Sequence, residues 1–415
     1  MSPTGRSAAL LAAIALAALV VGPLVAGLAA LALVAVAIVD LQAVRAAPEV
    51  NRTVPHLLSR GVGAPLHVEV KAPDARRLDV RQPAPTALKL ANAEGEGDLR
   101  TEVTAVRRGR HRLPALATRA EGPLGLAAWH HDAGAEEEVL VYPDMVAARR
   151  LAQLVREGRL ADSELRGRGP LGSGTEFDSI REYRPDDDVR HINWRATART
   201  GKPMTNQFRV ERNRDVVFAV DCGRLMAAPL GDRNRLDVAL DAVAAVALVA
   251  DEVGDRCGAV AFDGELKRRV VPRRNGAEPV IRSLFDLETA STDSDYEAAF
   301  RALEGAKRSF VLVLSDLLDE SAARPLLDAV PVLARRHAVV VASVTDPDLR
   351  AAVATEPRRS SDVYRAGVAL DILGSRASAA ARLRAAGADV VEALADDLPV
   401  ACVRAYGQAK ARGRA

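Results

Sequence analysis

A chain of 415 residues is long enough for two or three domains, each with a core of its own. Its 57 Lys and Arg against 55 Asp and Glu leave a formal charge of +2, so no overall field recruits nucleic acid. The seven His are scattered, and Cys222, Cys257 and Cys402 have no metal-site spacing and cannot all pair, which suits buried thiols in a reducing compartment.

Residues 1–46 read as a transmembrane hairpin. No charged side chain occurs from Ala8 to Val39, and as one helix that stretch would run about 48 Å against a hydrocarbon core of roughly 30 Å. Gly22-Pro23 interrupts it, where a helix interior breaks most easily. Two helices, Ala8–Val21 and Leu24–Val39, joined by a tight turn, fit the pattern, although each is shorter than the usual span of about 20 residues. Arg6 before the pair, and Arg45 and Arg52 after it, then favour the cytoplasmic side of a membrane for both ends and the soluble domains. One long tilted span would move the soluble body across the membrane. A cleaved signal peptide is the third alternative, and the apolar run is far longer than the core of such a peptide.

Residues 47–144 show short alternating stretches, among them Leu66–Lys71 and Leu99–Val106, with Gly61, Gly63, Pro65, Pro73, Pro83 and Gly109 between them. No long amphipathic helix appears, so the segment is expected to be β-rich and sandwich-like. The Arg107–His111 cluster reads as a solvated turn rather than a phosphate or headgroup contact. Residues 145–215 hold a helix, Met145–Glu157, and then a charged excursion. Between them Gly167–Gly174 is rich in glycine but lacks the ending of a phosphate-binding loop.

From 216 to 415, Val-rich strands alternate with helical stretches, the pattern of a mostly parallel sheet covered on both faces. The strands are Val216–Val220, Cys257–Phe262, Phe310–Leu314 and Ala338–Val344, with Leu266–Val271 as an antiparallel edge. The helices are Arg235–Val253, Glu297–Ala306, Glu320–Arg335 and Ala377–Ala386, and Val390–Ala393 and Leu398–Ala411 close the fold. Such sheets place ligands outside the carboxyl ends of their strands. Asp221 and Asp316 fall there, with Asp293 and Asp295 in a loop directed to the same edge, an oxygen set suited to Mg²⁺ or Mn²⁺. Arg224, three residues beyond Asp221, could instead neutralise those carboxylates and stand in for the metal.

The run Arg181–Arg199, REYRPDDDVRHINWRATAR, is too charged for a core. Arg181, Arg184, Arg190, Arg195 and Arg199 lie among Glu182, Asp186, Asp187 and Asp188, with Glu176 and Asp178 just before. That near balance argues against a nucleic-acid footprint and for Arg–carboxylate pairs that brace the excursion against the α/β domain. Tyr183 belongs to the same network, Trp194 is expected to be its apolar anchor, and His191 a structural donor. Neither a nucleophile elbow nor a zinc-protease helix occurs, and His337, at the start of a buried strand, has no chemical role in this reading.

With Gly201, Glu211-Arg212 and Asp221, this run resembles the bacterial domain-of-unknown-function family numbered fifty-eight, as do Arg108-Gly109 and Gly122–Leu126. The resemblance implies a von Willebrand factor A-like, Rossmann-like domain, and a membrane-bound scaffold or adaptor working with a MoxR-type AAA+ ATPase and membrane protein partners in complex assembly or maturation. In such domains a metal-dependent adhesion site opens with Asp-x-Ser-x-Ser. The matching positions here are Asp221, Gly223 and Leu225; both hydroxyls are missing, Thr292 or Ser294 stands for the later threonine, and Asp316 for the later acid. That departure implies a degenerate metal site, and with no convincing catalytic constellation the chain is read as a non-enzymatic interaction protein. The alternatives are a divalent-metal-dependent ligand-binding or adhesion domain and a metal-dependent hydrolase.

Overall fold

The computed structural model describes residues 2–157, 176–185, 187–209, 214–303, 308–317 and 320–412. The chain divides into two compact units, Met1–Tyr142 and Pro143–Ala415. The glycine-rich Gly167–Gly174 and the Glu211-Arg212 pair lie outside the described residues.

The first unit begins with a short strand β1 (Ser2–Pro3) and two apolar helices, α1 (Gly5–Val21) and α2 (Pro23–Ala43). Thr4 caps α1 by accepting from the Ser7 amide, and Gly22, at φ 91°, breaks the run before Pro23 starts α2. Pro23–Ala43, at mean hydropathy 2.6, is long and apolar enough to cross a membrane; Gly5–Val20 is apolar but shorter. Both outer ends of this pair fasten to one turn. Pro3 pairs with Ala127, the Thr4 hydroxyl donates to the Gly125 carbonyl at 2.6 Å, and Asp40, 2% exposed near the end of α2, accepts from the amides of Leu124, Leu126 and Ala127. A Cβ on Gly122 would lie 2.3 Å from the Asp40 carboxyl carbon, so that position needs glycine.

The rest of this unit is β-structure. One sheet carries β2 (Glu49–Thr53), β4 (Gly63–Lys71), β5 (Arg77–Arg81), β6 (Leu88–Leu90), β7 (Glu94–Glu96), β8 (Asp98–Ala105), β10 (Leu116–Glu121) and β11 (Ala127–Ala133), all antiparallel, with β1 on β11. A second holds β3 (Leu57–Ser59), β9 (Gly109–Leu113) and β12 (Glu137–Tyr142). Alternate residues of both, such as Leu66, Val68, Leu99 and Val103 from one and Leu58, Leu113, Val139 and Val141 from the other, share one core. Arg52 does not act as a charge flanking the two apolar helices. Its side chain is buried, paired with Glu137 at 2.9 Å and donating to the carbonyls of Pro114 and Ala135.

The second unit opens with α3 (Met145–Arg156), capped by Asp144. An excursion follows: a two-stranded antiparallel ladder of β13 (Glu176–Glu182) and β14 (Met204–Arg209), with α4 (Trp194–Thr200) between them. Beyond it β15 (Asp215–Asp221) enters a six-stranded sheet. The short pair β16 (Pro229–Leu230) and β17 (Arg233–Asn234) leads to α5 (Arg235–Val253). Then come β18 (Arg256–Phe262), β19 (Leu266–Arg273), α6 (Ala277–Leu284), α7 (Tyr296–Arg301), β20 (Ser309–Leu314), α8 (Glu320–Ala334), β21 (Ala338–Val344), α9 (Pro347–Ala354), α10 (Ser360–Ala385), β22 (Asp389–Ala393) and α11 (Leu398–Ala411). The sheet order is β19-β18-β15-β20-β21-β22, parallel except for the edge strand β19.

Val217, Ala219, Val311 and Val313 pack on α7, α8 and α10, while α5, α6 and α11 cover the other face. Continuous apolar strands of this kind are what a sheet buried on both faces requires. Some helices run differently from the sequence expectation. Only the last third of α10 was expected as helix, and α6 and α9 were not. Val363, Tyr364, Val368 and Leu370 remain exposed along the first half of α10, so no apolar stripe announces it.

Candidate functional site

Asp221 ends the central strand β15, flanked by β18 and β20, and is 1% exposed. A carboxylate so buried is tolerated only when its lone pairs are filled. Oδ1 accepts from the Gly223 amide at 2.8 Å and from the Ser294 hydroxyl; Oδ2 accepts from Tyr296 at 2.6 Å and Ser315 at 2.7 Å. The Tyr296 and Ser315 hydroxyls also lie 2.6 Å apart. Burial pushes the Tyr296 phenol well above its ordinary value of 10.0, and the neighbouring Asp221 charge pushes it the same way. Tyr296 is therefore a lasting donor. Gly223 has a specific reason to lack a side chain: its Cβ would fall 2.1 Å from Ser294 Oγ. The hydroxyl missing at 223 is thus replaced by one arriving from the loop before α7.

Asp316 lies two residues beyond β20 and is 3% exposed. Oδ1 accepts from Arg235 Nη1 and, at 3.0 Å, from Arg376 Nη1; Ser343 Oγ lies 3.3 Å away. Both arginines are buried, Arg235 at the first turn of α5 and Arg376 in the second half of α10. Arg376 also donates to Ser343 Oγ and to the Val344 carbonyl at 2.9 Å, and its Nη2 lies 3.6 Å from Glu392. Burial lowers the Arg235 pKa from its ordinary value, while the Asp316 charge opposes that shift. A third strand-end acid, Asp263, is paired with Lys267 at 3.1 Å.

The expectation that an arginine would take the place of a metal meets a different residue. Arg224 is bound to Asp293 at the surface, with 55% and 78% of the two side chains exposed. Its amide donates to the Thr292 carbonyl at 2.9 Å, and Thr292 itself is exposed. Of the two candidates for the adhesion-site threonine, Ser294 reaches Asp221. Asp295 caps α7 by accepting from the Ala298 amide. A divalent cation here would have to displace hydroxyl donors from Asp221 and two guanidinia from Asp316, so these residues do not fit one. Among the described residues, no group of three or more His, Cys, Asp or Glu is placed to hold a metal ion. Arg235, Arg376 and Tyr296 were missed in the sequence; an arginine within an apolar or alanine-rich helix was the available signal.

The excursion holds the other singled-out residues. Arg181 forks onto Asp187 at 2.8 and 2.6 Å, holding that carboxyl below the usual range. The Arg184 amide donates to Asp187 as well, and the Tyr183 hydroxyl donates to the Asp187 carbonyl at 3.2 Å. Glu182 pairs with Lys202 at 3.1 Å, and Asp188 accepts from the Arg190 amide. Asn193 caps α4 through the Ala196 amide, and Gly201, at φ 68°, ends it. These pairs lie within the excursion rather than between it and the sheet. Trp194 is not a buried anchor: it is 71% exposed. His191 is half-buried, its carbonyl accepting from Thr205, and His337, 8% exposed, accepts from the Ser309 amide at 3.2 Å.

Residues 179–352 match the family described as "Protein of unknown function DUF58". Uncharacterized proteins of Mycobacterium tuberculosis and Mycobacterium bovis are each 31% identical to the chain over 216 residues. The match takes in 49% of this chain and 66% of each relative, just under two thirds of their length. Among solved structures, a cohesin module from a Clostridium perfringens glycoside hydrolase overlays 23% of this chain and 96% of its own, at 11% identity and a TM-score of 0.16. The sulfur carrier protein SoxY of Chlorobium limicola covers 26% of this chain and 97% of its own, at 17% identity and a TM-score of 0.15. TM-scores of that size say nothing about this chain's fold or activity.

Proposed function

We propose that this chain is a membrane-anchored scaffold or adaptor that acts by binding, in concert with a MoxR-type AAA+ ATPase, during assembly or maturation of a complex. One observation carries the binding part: the strand-end acids Asp221 and Asp316 are filled by the chain's own donors. On this reading the second unit is a von Willebrand factor A-like domain whose metal position has become an internal polar lock, and the first is a sandwich-like β domain. Helices α1 and α2 form a hairpin in the bacterial inner membrane, and Arg6 and Arg45 keep both units cytoplasmic. The ATPase partnership rests on the sequence resemblance alone.

Crosslinked affinity purification from membranes of a native host tests it. Recovery of an AAA+ ATPase of that type across repeats is expected, and its absence in every nucleotide state would remove the partnership. Titration of the solubilised chain with Mg²⁺ or Mn²⁺ is expected to give no stoichiometric heat. A tight isotherm abolished by Asp221→Ala would instead restore the metal-binding reading.

A further inference from the structure

The excursion's sequence separates into residues that build it and residues that do nothing for it. Arg181, Tyr183, Asp187, Asp188, Asn193, Thr197 and Gly201 close turns, cap helices or bridge strands. Trp194, Arg195 and Arg199 do none of these things. Trp194 is 71% exposed, and Arg195 and Arg199 have no acidic partner among the described residues. Their i, i+4 spacing stacks two like charges on one face of a seven-residue helix, which opposes helix formation.

Little of the described excursion is buried. Among the described residues from 179 to 206 only Thr205 is buried, while Ile180 and Val189 are 40% and 64% exposed. A two-stranded ribbon is marginal by itself and gains order when its apolar side chains are covered. Exposed tryptophan beside arginine is also the composition from which binding hot spots are drawn.

We infer that α4 of the excursion is a docking surface for an acidic, amphipathic segment of a protein partner, whose apolar side chain covers Trp194 while its carboxylates meet Arg195 and Arg199. Charge selects this occupant. Arg195 and Arg199, without an acidic partner among the described residues, call for anions, and the exposed Trp194 beside them calls for a chain that carries apolar side chains too. Nucleic acid fits less well, because two arginines one helical turn apart make too short a basic surface to track a phosphate backbone. The inference deepens the binding role proposed above and rests on it, but not on the identity of the ATPase.

The test uses the full chain in lipid nanodiscs and a phage library of random short peptides, counter-selected against Trp194→Ala. Enriched peptides are expected to carry Asp or Glu beside Leu, Ile or Phe. A synthetic copy of the best should lose at least about tenfold in affinity with Trp194→Ala, and again with Arg195→Glu/Arg199→Glu. Rising salt should weaken it. Both variants alter exposed side chains, and unchanged thermal unfolding would assign the loss to the surface. No enrichment, basic or uncharged winners, or binding indifferent to both variants would overturn the inference. So would Trp194-dependent binding of a labelled single-stranded oligonucleotide, or Trp194→Ala turning a dimer into a monomer in sedimentation. Peptide binding without ATPase recovery would sink the partnership alone; ATPase recovery without Trp194-dependent peptide binding would sink this surface alone.

Discussion

Tyr296 donates its phenol proton to a carboxylate that is itself 1% exposed, and the pair constrains stability at high pH. The unfolded phenol ionises near 10.0, whereas burial and Asp221 hold the folded one well above that. Between those two values the folded chain binds more protons than the unfolded one, so stability falls as pH rises above about 10, by roughly 1.4 kcal/mol per pH unit for one such tyrosine. Tyr406, buried against Asp255, adds a second decline of the same sign. Tyr296→Phe is expected to flatten one of the two, and to cost about 1.5–3 kcal/mol at neutral pH through the lost bond to a charged acceptor. Urea midpoints by circular dichroism, from pH 8 upward, read both effects; parallel curves for the two proteins would show that Tyr296 does not ionise late. Asp316 presents the opposite arrangement, one acid between two buried guanidinia. Asp316→Ala leaves Arg235 and Arg376 facing each other without their shared anion. A loss of about 3–5 kcal/mol is expected in the opening free energy of β20 amides, measured by hydrogen exchange. A change below about 1 kcal/mol would mean water already screens the pair.

At the scale of elements, the sheet was legible because its strands are buried on both faces and so read as unbroken apolar runs. Ala338–Val344 is the same in sequence and structure, and Arg235–Val253 begins at its Asn234 cap and ends at Gly254. What failed to show was whatever depends on distant partners. Arg376 is 60 residues from Asp316, and its alanine-rich surroundings hint at burial but do not name the partner. Trp194 misled for the converse reason: a large apolar residue defaults to a core, and only the fold shows this one 71% exposed. Asp40 was likewise invisible as a latch. It is a lone acid in the last turn of an apolar helix, and its three amide partners lie 84 to 87 residues away. Asp40→Ala is expected to leave those buried amides without an acceptor, at about 1–3 kcal/mol each. Hydrogen exchange at Leu124, Leu126 and Ala127 should then speed up together, while amides of β8 keep their protection. Unchanged exchange at all three would show that the turn holds itself without the carboxylate.

For the whole molecule, the decisive question is on which side of a membrane the chain's mass lies. Pro3, Thr4 and Asp40 all meet the Gly122–Ala127 turn, so the chain leaves for α1 and comes back from α2 at one place. If the pair crosses a bilayer, its far end is Gly22-Pro23 and its near end is that turn. A helix of 17 residues is about 25 Å long, short of a hydrocarbon core of roughly 30 Å, so α1 reaches across only with local thinning or with Gly5 and Arg6 drawn to the interface. Cysteine labelling separates the outcomes cleanly, because Cys222, Cys257 and Cys402 are all buried and burial pushes the Cys402 thiol up to about 12. In intact cells, Pro23→Cys is expected to react with an impermeant maleimide, whereas Leu124→Cys, at a position 54% exposed, reacts only after permeabilisation. Labelling of Leu124→Cys from outside would reverse the topology and remove any cytoplasmic ATPase from reach. Labelling of neither until the cells are opened would mean that the two helices lie on the membrane, or off it, rather than across it.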